Sequence, residues 1–206
     1  MTTSMHAVSS LDGYIADDHD GVGHLHDWYF NGEFPLHEGD EGGIRLSAAS
    51  IDYIRQIWAR QSVLIIGRRQ FDLMNGWDGH PPASKYVVVV SHRPKPEGWH
   101  PEAPFEFVTS IEAAFQRAEE LADGGDIGVT AGDLGGQALA LGLVDHVAMD
   151  VVPVVFGGGK PYFGSFADAD QVLGDPDVVI QGQGVLHLRF PVRRADRAEV
   201  RAGAGR

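Results

Sequence analysis

The run Val63-Leu64-Ile65-Ile66-Gly67-Arg68-Arg69-Gln70-Phe71 breaks an apolar, β-branched stretch at a glycine and restarts with two arginines. A strand that feeds a helix there leaves unpaired N–H groups and a partial positive charge at the helix mouth, the chemistry that binds phosphate. Arg68 and Arg69 add guanidiniums that grip phosphate oxygens in pairs. Without an anion to face, each would oppose the helix dipole by about 0.3–1 kcal/mol. The pattern recurs downstream. Asp126-Ile127-Gly128-Val129-Thr130 reads as a strand, and Ala131-Gly132-Asp133-Leu134-Gly135-Gly136-Gln137 turns into a helix running to about Leu141. Two such junctions imply a diphosphate, held at the carboxyl ends of strands in an open α/β sheet.

Other residues carry chemistry of a second kind. Asp12, in Ser10-Leu11-Asp12-Gly13, follows the first apolar run from Met5 to Ser9. A carboxyl group there is either a turn residue or a group that positions or protonates a substrate. The segment from Asp17 to Gly43 is dense in Gly, Asp and His, yet holds Trp28, Tyr29, Phe30 and Phe34. A loop of this kind packs over something, and Trp28 and Phe30 are its candidates to stack on a planar substrate, the alternative being that they anchor the loop. His24, His26 and His37 lie among Asp17, Asp18, Asp20, Asp27, Glu38, Asp40 and Glu41. Their spacing matches no metal template, and no metal is expected.

The elements that must position these groups follow from patterning. Ser47 to Arg60, with Ile51, Ile54, Ile57 and Trp58 on one face, and Ile111 to Ala122, with Thr109 and Glu112 as a capping box, are expected helices. Tyr86 to Val90 is a strand buried on both faces that exits through Ser91-His92-Arg93-Pro94, and His146 to Phe156 is a long apolar strand leading to Gly157-Gly158-Gly159-Lys160-Pro161. Val178 to Gln181 and Val185 to Phe190 flank Gly182-Gln183-Gly184 as a closing antiparallel hairpin. Strands alternating with helices over the first three-quarters imply an α/β fold with a mixed, mostly parallel central sheet flanked by helices.

With 206 residues and 43% hydrophobic content, one domain over residues 1–193 is expected, followed by a disordered tail over 194–206. A net charge of −13, from 29 acidic against 16 basic side chains, argues against nucleic acid or an anionic membrane as partner. The absence of cysteine removes disulfides and thiolate chemistry. No targeting segment or bilayer-length apolar run is visible, so a cytoplasmic protein is expected.

In their order and spacing, the motifs from Met5 to about Arg193 resemble those of the dihydrofolate reductase-like superfamily. The branch they resemble is the reductase domain of the bacterial bifunctional riboflavin-biosynthesis deaminase-reductase. The matching stretches are Ser10-Leu11-Asp12-Gly13, Leu64 to Arg69 with Phe71, and Val87 to Ser91 with His92 and Arg93. Gly132 then opens a helix ending in Gly142-Leu143-Val144-Asp145, and Val152 to Gly159 completes the set. The resemblance implies a three-layer fold and NADPH as cofactor. Arg68, Arg69, Ser91 and Arg93, with His92 in the same turn, would meet the 2′-phosphate and adenosine end. The diphosphate would lie against Gly67, Arg68, Arg69 and Gln70 and against Gly132, Asp133, Leu134, Gly135 and Gly136, and the nicotinamide would lie beside Ala7 and Val8.

The chain departs from the pattern in two places. It has Ala131-Gly132 where many members have two glycines, and the Asp133 carboxylate next to it is expected to cap its own helix. The early-helix carboxylate of folate reductases falls where this chain has its His-rich loop, so folate is not implied. The expected activity is hydride transfer to a small planar heterocycle, pterin-like or aminopyrimidine-like. The alternative is a dinucleotide- or small-ligand-binding module without turnover. A homodimer is expected through an edge presented by the His146 to Phe156 strand and the last hairpin.

Overall fold

The computed structural model describes residues 1–37, 39, 42–165 and 170–193. Glu38, Asp40, Glu41 and the expected tail over 194–206 therefore lie outside the described residues. The chain runs β1 (Thr3–Ser10), β2 (Tyr14–Ala16), a 3-10 helix (Gly23–Phe30), β3 (Phe34–Pro35), β4 (Arg45–Leu46), α1 (Ala48–Arg60), β5 (Gln61–Gly67), α2 (Arg68–Leu73) and a 3-10 turn (Asn75–Gly79). It continues with β6 (Tyr86–Val90), β7 (Phe105–Val108), α3 (Ile111–Ala122), β8 (Asp126–Thr130), α4 (Asp133–Ala140), β9 (His146–Val152), β10 (Lys160–Pro161), β11 (Val178–Gln181) and β12 (Leu186–Pro191).

Eight strands form one sheet in the order β11-β12-β9-β1-β8-β5-β6-β7. The six from β9 to β7 are parallel, and β12 and β11 close the sheet as an antiparallel hairpin. Parallel strands are covered on both faces, and the side-chain period of two divides each strand between two cores. Met5, Val63, Ile65, Val88, Ile127, Val129 and Val147 face α3 and α4. On the opposite face Val8 and Val152 pack under α1 and the 3-10 helix, while Ile66, Val87, Val89 and Phe105 pack with Phe71 of α2.

Two expectations about elements are corrected. Strand β9 ends at Val152 because Pro153 has no N–H for the ladder, and it lies between β12 and β1, so it offers no edge; β11 and β7 are the edges. Helix α3 is capped by Ser110, whose Oγ accepts from Ala113 N–H at 3.1 Å, and not by a box from Thr109. Of the two readings of the segment from Asp17 to Gly43, its described residues follow the anchoring one, with Leu25 and Trp28 buried and β3 paired to β4. Among the described residues, no helix is long and apolar enough to cross a membrane.

Candidate active site

Both glycine-marked junctions lie at the same edge of the sheet. Strand β5 is parallel to β8 and adjacent to it, so Gly67 and Gly132 leave neighbouring strand ends. On the other side of β8, β1 pairs only as far as His6↔Thr130, whereas its ladder with β9 continues to Ser10↔Val152. The sheet therefore forks between β1 and β8. Thr2 O accepts from Ile127 N–H and Thr3 O from Asp145 N–H, so even-numbered residues of β1 turn their backbone groups toward β8 and odd-numbered ones toward β9. Val8 is the first residue whose β8-facing N–H and C=O lie past the last ladder pair. Ala7 packs its side chain against the α3 and α4 core.

At the outer end of this row, α2 and the exit of β6 make a cationic cluster. Arg68 Nε donates to Asp72 Oδ1 at 2.7 Å, and its Nη1 reaches Ser91 Oγ at 3.5 Å, Arg93 O at 3.3 Å and Pro94 O at 3.0 Å. Its guanidinium also lies over the Phe71 and Phe107 rings, at 5.6 and 5.9 Å from their centroids. Arg93 Nη2 donates to the other Asp72 oxygen at 2.6 Å. Burial pushes the Asp72 carboxyl up, but Arg68 and Arg93 outweigh it and hold it below the usual carboxylate range. Two cations share one anion, which leaves a positive surplus in a chain of net charge −13. Arg69 turns away from this cluster and forks onto Asp20, in the turn after β2. Gln70 sits in the first turn of α2, and His92 is exposed beyond Ser91.

The mouth of α4 differs from its sequence reading in one respect. Gly132 holds φ +86° and ψ −155°, a conformation open to glycine, and its N–H is taken by Tyr162 O at 2.7 Å. The first intrahelical bond runs from Gly136 N–H to Gly132 O, so the N–H groups of Asp133, Leu134 and Gly135 open the helix without intrahelical partners. Asp133 does not cap its own helix, which corrects that expectation. Its Oδ1 accepts from Ser165 N–H at 2.9 Å and Ser165 Oγ at 3.1 Å, because the chain after β10 returns across this mouth. Gly135 lets α4 touch the sheet, since a Cβ there would meet Thr130 O at 2.6 Å.

Asp12 is committed to the loop after β9. It accepts from Ser10 Oγ at 2.6 Å, Gly157 N–H at 2.7 Å and Phe156 N–H at 3.2 Å. The Ser10 hydroxyl first, then these backbone donors, hold its carboxyl below the usual range. That makes it a clasp between the β1 exit and the 156–157 turn. Trp28 is 2% exposed, stacks on Tyr29 at 4.2 Å and meets His187 edge-on at 5.2 Å. Its expected substrate contact is corrected, because a ring enclosed on both faces offers none to a ligand. Phe30 is 64% exposed at the end of the same 3-10 helix. His24 pairs with Asp27 at 2.7 Å and His37 packs against Trp58; among the described residues no three His, Asp or Glu side chains converge as a metal site.

Sequence reading missed a polar network beside the fork. Asp150 accepts from two rings, with Oδ2 at 2.9 Å from His6 Nε2 and Oδ1 at 2.6 Å from His187 Nδ1. His187 Nε2 lies 2.9 Å from Ser50 Oγ, which in turn lies 3.1 Å from Ser47 Oγ at the start of α1. Burial alone would raise the Asp150 carboxyl, but the charge on His6 and the two imidazole hydrogen bonds hold it down at about 2. Burial would likewise lower the His6 ring, and the Asp150 charge and hydrogen bond more than offset it, raising the ring above 6.5. A signal was available in hindsight: a charged Asp150 interrupting the apolar run of β9 demands a buried partner.

No known protein-family model matches the chain, and no curated protein does. Solved structures share its fold. A putative riboflavin biosynthesis protein from Shewanella sp. PV-4 aligns at a TM-score of 0.63 and 22% identity, over 94% of this chain and 100% of its own. A pyrimidine reductase-like protein from Corynebacterium diphtheriae aligns at 0.56 and 15% identity, over 94% of this chain and 92% of its own. RibD from Acinetobacter baumannii aligns at 0.58 and 15% identity, over 94% of this chain and 58% of that chain. The shared architecture is the α/β, dihydrofolate reductase-like one.

Proposed function

We propose that this protein is an NADPH-dependent reductase that delivers a hydride to a small planar heterocycle of pyrimidine or pterin type. One observation carries the reading. Four adjacent parallel strands, in the spatial order β1-β8-β5-β6, bring to one edge the Val8 backbone groups, the α4 mouth, the α2 mouth and the Ser91–Arg93 turn. At a strand spacing of about 4.8 Å the outer two sites are about 14 Å apart, a row suited to an extended dinucleotide. The donor set fits that ligand, with a positive surplus at one end, first-turn N–H groups without intrahelical partners in the middle, and the Val8 N–H and C=O past the end of the ladder at the other.

In this reading Arg68, Arg93 and Ser91 hold a 2′-phosphate, and the first-turn N–H groups of α2 and α4 hold the diphosphate. Val8 N–H and C=O orient a planar carboxamide. When bound, the reduced nicotinamide supplies the hydride. The chain orients the reactants and excludes water with the 3-10 helix and the turn carrying Asp20. That the neighbours are a riboflavin biosynthesis protein, a pyrimidine reductase-like protein and RibD favours an aminopyrimidine as the heterocycle.

The test is NADPH titration by fluorescence, followed by loss of dihydronicotinamide absorbance with a panel of pterins and aminopyrimidines. Tight binding with turnover is expected. Binding without consumption across the panel would favour a dinucleotide-binding module, and no binding would end the reductase reading.

A further inference from the structure

The two apolar clusters on the α1 face leave a strip of sheet between them, floored by Gly128 and Thr130 of β8 and His6 of β1. His6 is the last residue of β1 paired to β8, so its ring stands at the base of the fork, two residues before Val8. Its side chain keeps 22% of its surface exposed, whereas Asp150 and His187 behind it keep 1% and 0%. A polar chain thus runs inward from an accessible ring to a sealed end. That end is closed by Gly182, where an added Cβ would lie 2.2 Å from Ser50 Oγ.

The directions of the hydrogen bonds follow from the carboxylate, which only accepts. Both rings must present N–H to Asp150, so His6 donates through Nε2 and His187 through Nδ1. His187 Nε2 then faces the Ser50 hydroxyl at 2.9 Å. With Nε2–H of His6 committed to Asp150, Nδ1 is the ring nitrogen left for a ligand in the fork. A reduction needs a proton at that place, because hydride addition leaves an electron pair on the heteroatom. Asp12 is unsuited to supply it, being ionised and bound by three donors of its own.

We propose that His6 is the proton donor of the reduction and that Asp150, backed by His187 and Ser50, is the positioning group that fixes the ring's tautomer and aim. The proposal rests on the reductase reading above. A hydride with its two electrons reaches the carbon of a C=N or C=O bond from the reduced nicotinamide. The π pair moves to the heteroatom, which takes the proton from His6 Nδ1. The substrate gains two hydrogens and the nicotinamide is left oxidised. His6 is left neutral, with Nε2–H still on Asp150, and regains its proton from water at its exposed edge. Among the described residues, the ionisable groups gathered about Asp150 on this face are His6, His187 on β12, and Tyr29 and Tyr53 on the overlying 3-10 helix and α1. Both phenols are held neutral by burial first and then by the Asp150 charge. On β8 the residue paired in register with His6 is Thr130, which does not titrate.

Nitrogen-detected NMR of the full chain tests this directly, following the ring of His6 through pH with and without NADPH. The wild-type ring is expected to titrate above 6.5, and Asp150→Asn to weaken its proton affinity about tenfold or more. Saturating NADPH is expected to move the Nδ1 resonance. A wild-type ring that titrates below 6.5, or one that ignores NADPH although NADPH binds, overturns the assignment and leaves the reductase reading standing. Failure of NADPH to bind removes the reductase reading and the acid role with it. If Asp150→Asn does not fold, the wild-type titration and its response to NADPH decide the matter without it.

Discussion

At the scale of single residues, Arg68 and Arg93 share Asp72, and a 2′-phosphate would compete with that carboxylate for both. Arg68→Ala and Arg93→Ala should each weaken NADPH roughly tenfold while leaving NADH nearly unchanged, in parallel fluorescence titrations. Equal losses for both nucleotides would show that these guanidiniums do not read the 2′-phosphate. Asp150→Asn leaves the buried His187 ring and the partly exposed His6 ring without their anion, and chemical denaturation should find it about 3–5 kcal/mol less stable. Arg68 was legible in the sequence because it follows Gly67 at the end of an apolar run, whereas the arginine that shares Asp72 with it is Arg93, 25 residues on, and not the adjacent Arg69, which pairs with Asp20. The His6–Asp150–His187 network was not, because its members lie 144 and 37 residues apart and each looks alone like one polar residue in a strand.

Among elements, the helix starts and packing contacts give sharper tests than the helices themselves. Ser110→Ala should cost about 1 kcal/mol by removing the α3 cap, and Thr109→Ala should cost little, a difference that thermal melts resolve. Gly135→Ala would push α4 away from Thr130 and Met5, at a cost of about 1–3 kcal/mol, and should weaken NADPH because the α4 mouth moves with the helix. Periodicity revealed α1, α3, β5, β6 and the final hairpin, since each is long or strongly patterned. Strand β7 escaped because Phe105 to Val108 is four residues after a Pro-rich stretch, too short to show a period. The place of β9 inside the sheet was also hidden, because which strand pairs with which is set by tertiary packing and not by any local pattern.

For the molecule as a whole, the two sides of the Asp150–His6 pair set opposite limits on pH. Asp150 is held at about 2 against an ordinary value near 4, so its contribution is present above pH 4 and is lost as pH falls through about 2. His6 is raised above 6.5, so its contribution is full below 6.5 and fades as pH climbs through the folded value. Stability measured by urea denaturation should therefore be greatest between about pH 4 and 6.5 for this pair. Asp150→Asn should flatten both flanks.

The fork between β1 and β8 has one more consequence. The centre of a parallel sheet is ordinarily where amide protons trade with water most slowly. Here the Val8 amide should behave like one on a surface, quick to take up deuterium while Met5 and Val147 hold their protons for far longer. A nucleotide that slots into the gap would close the ladder as a missing strand does, and the slowing at that single amide would report its arrival before any substrate is known.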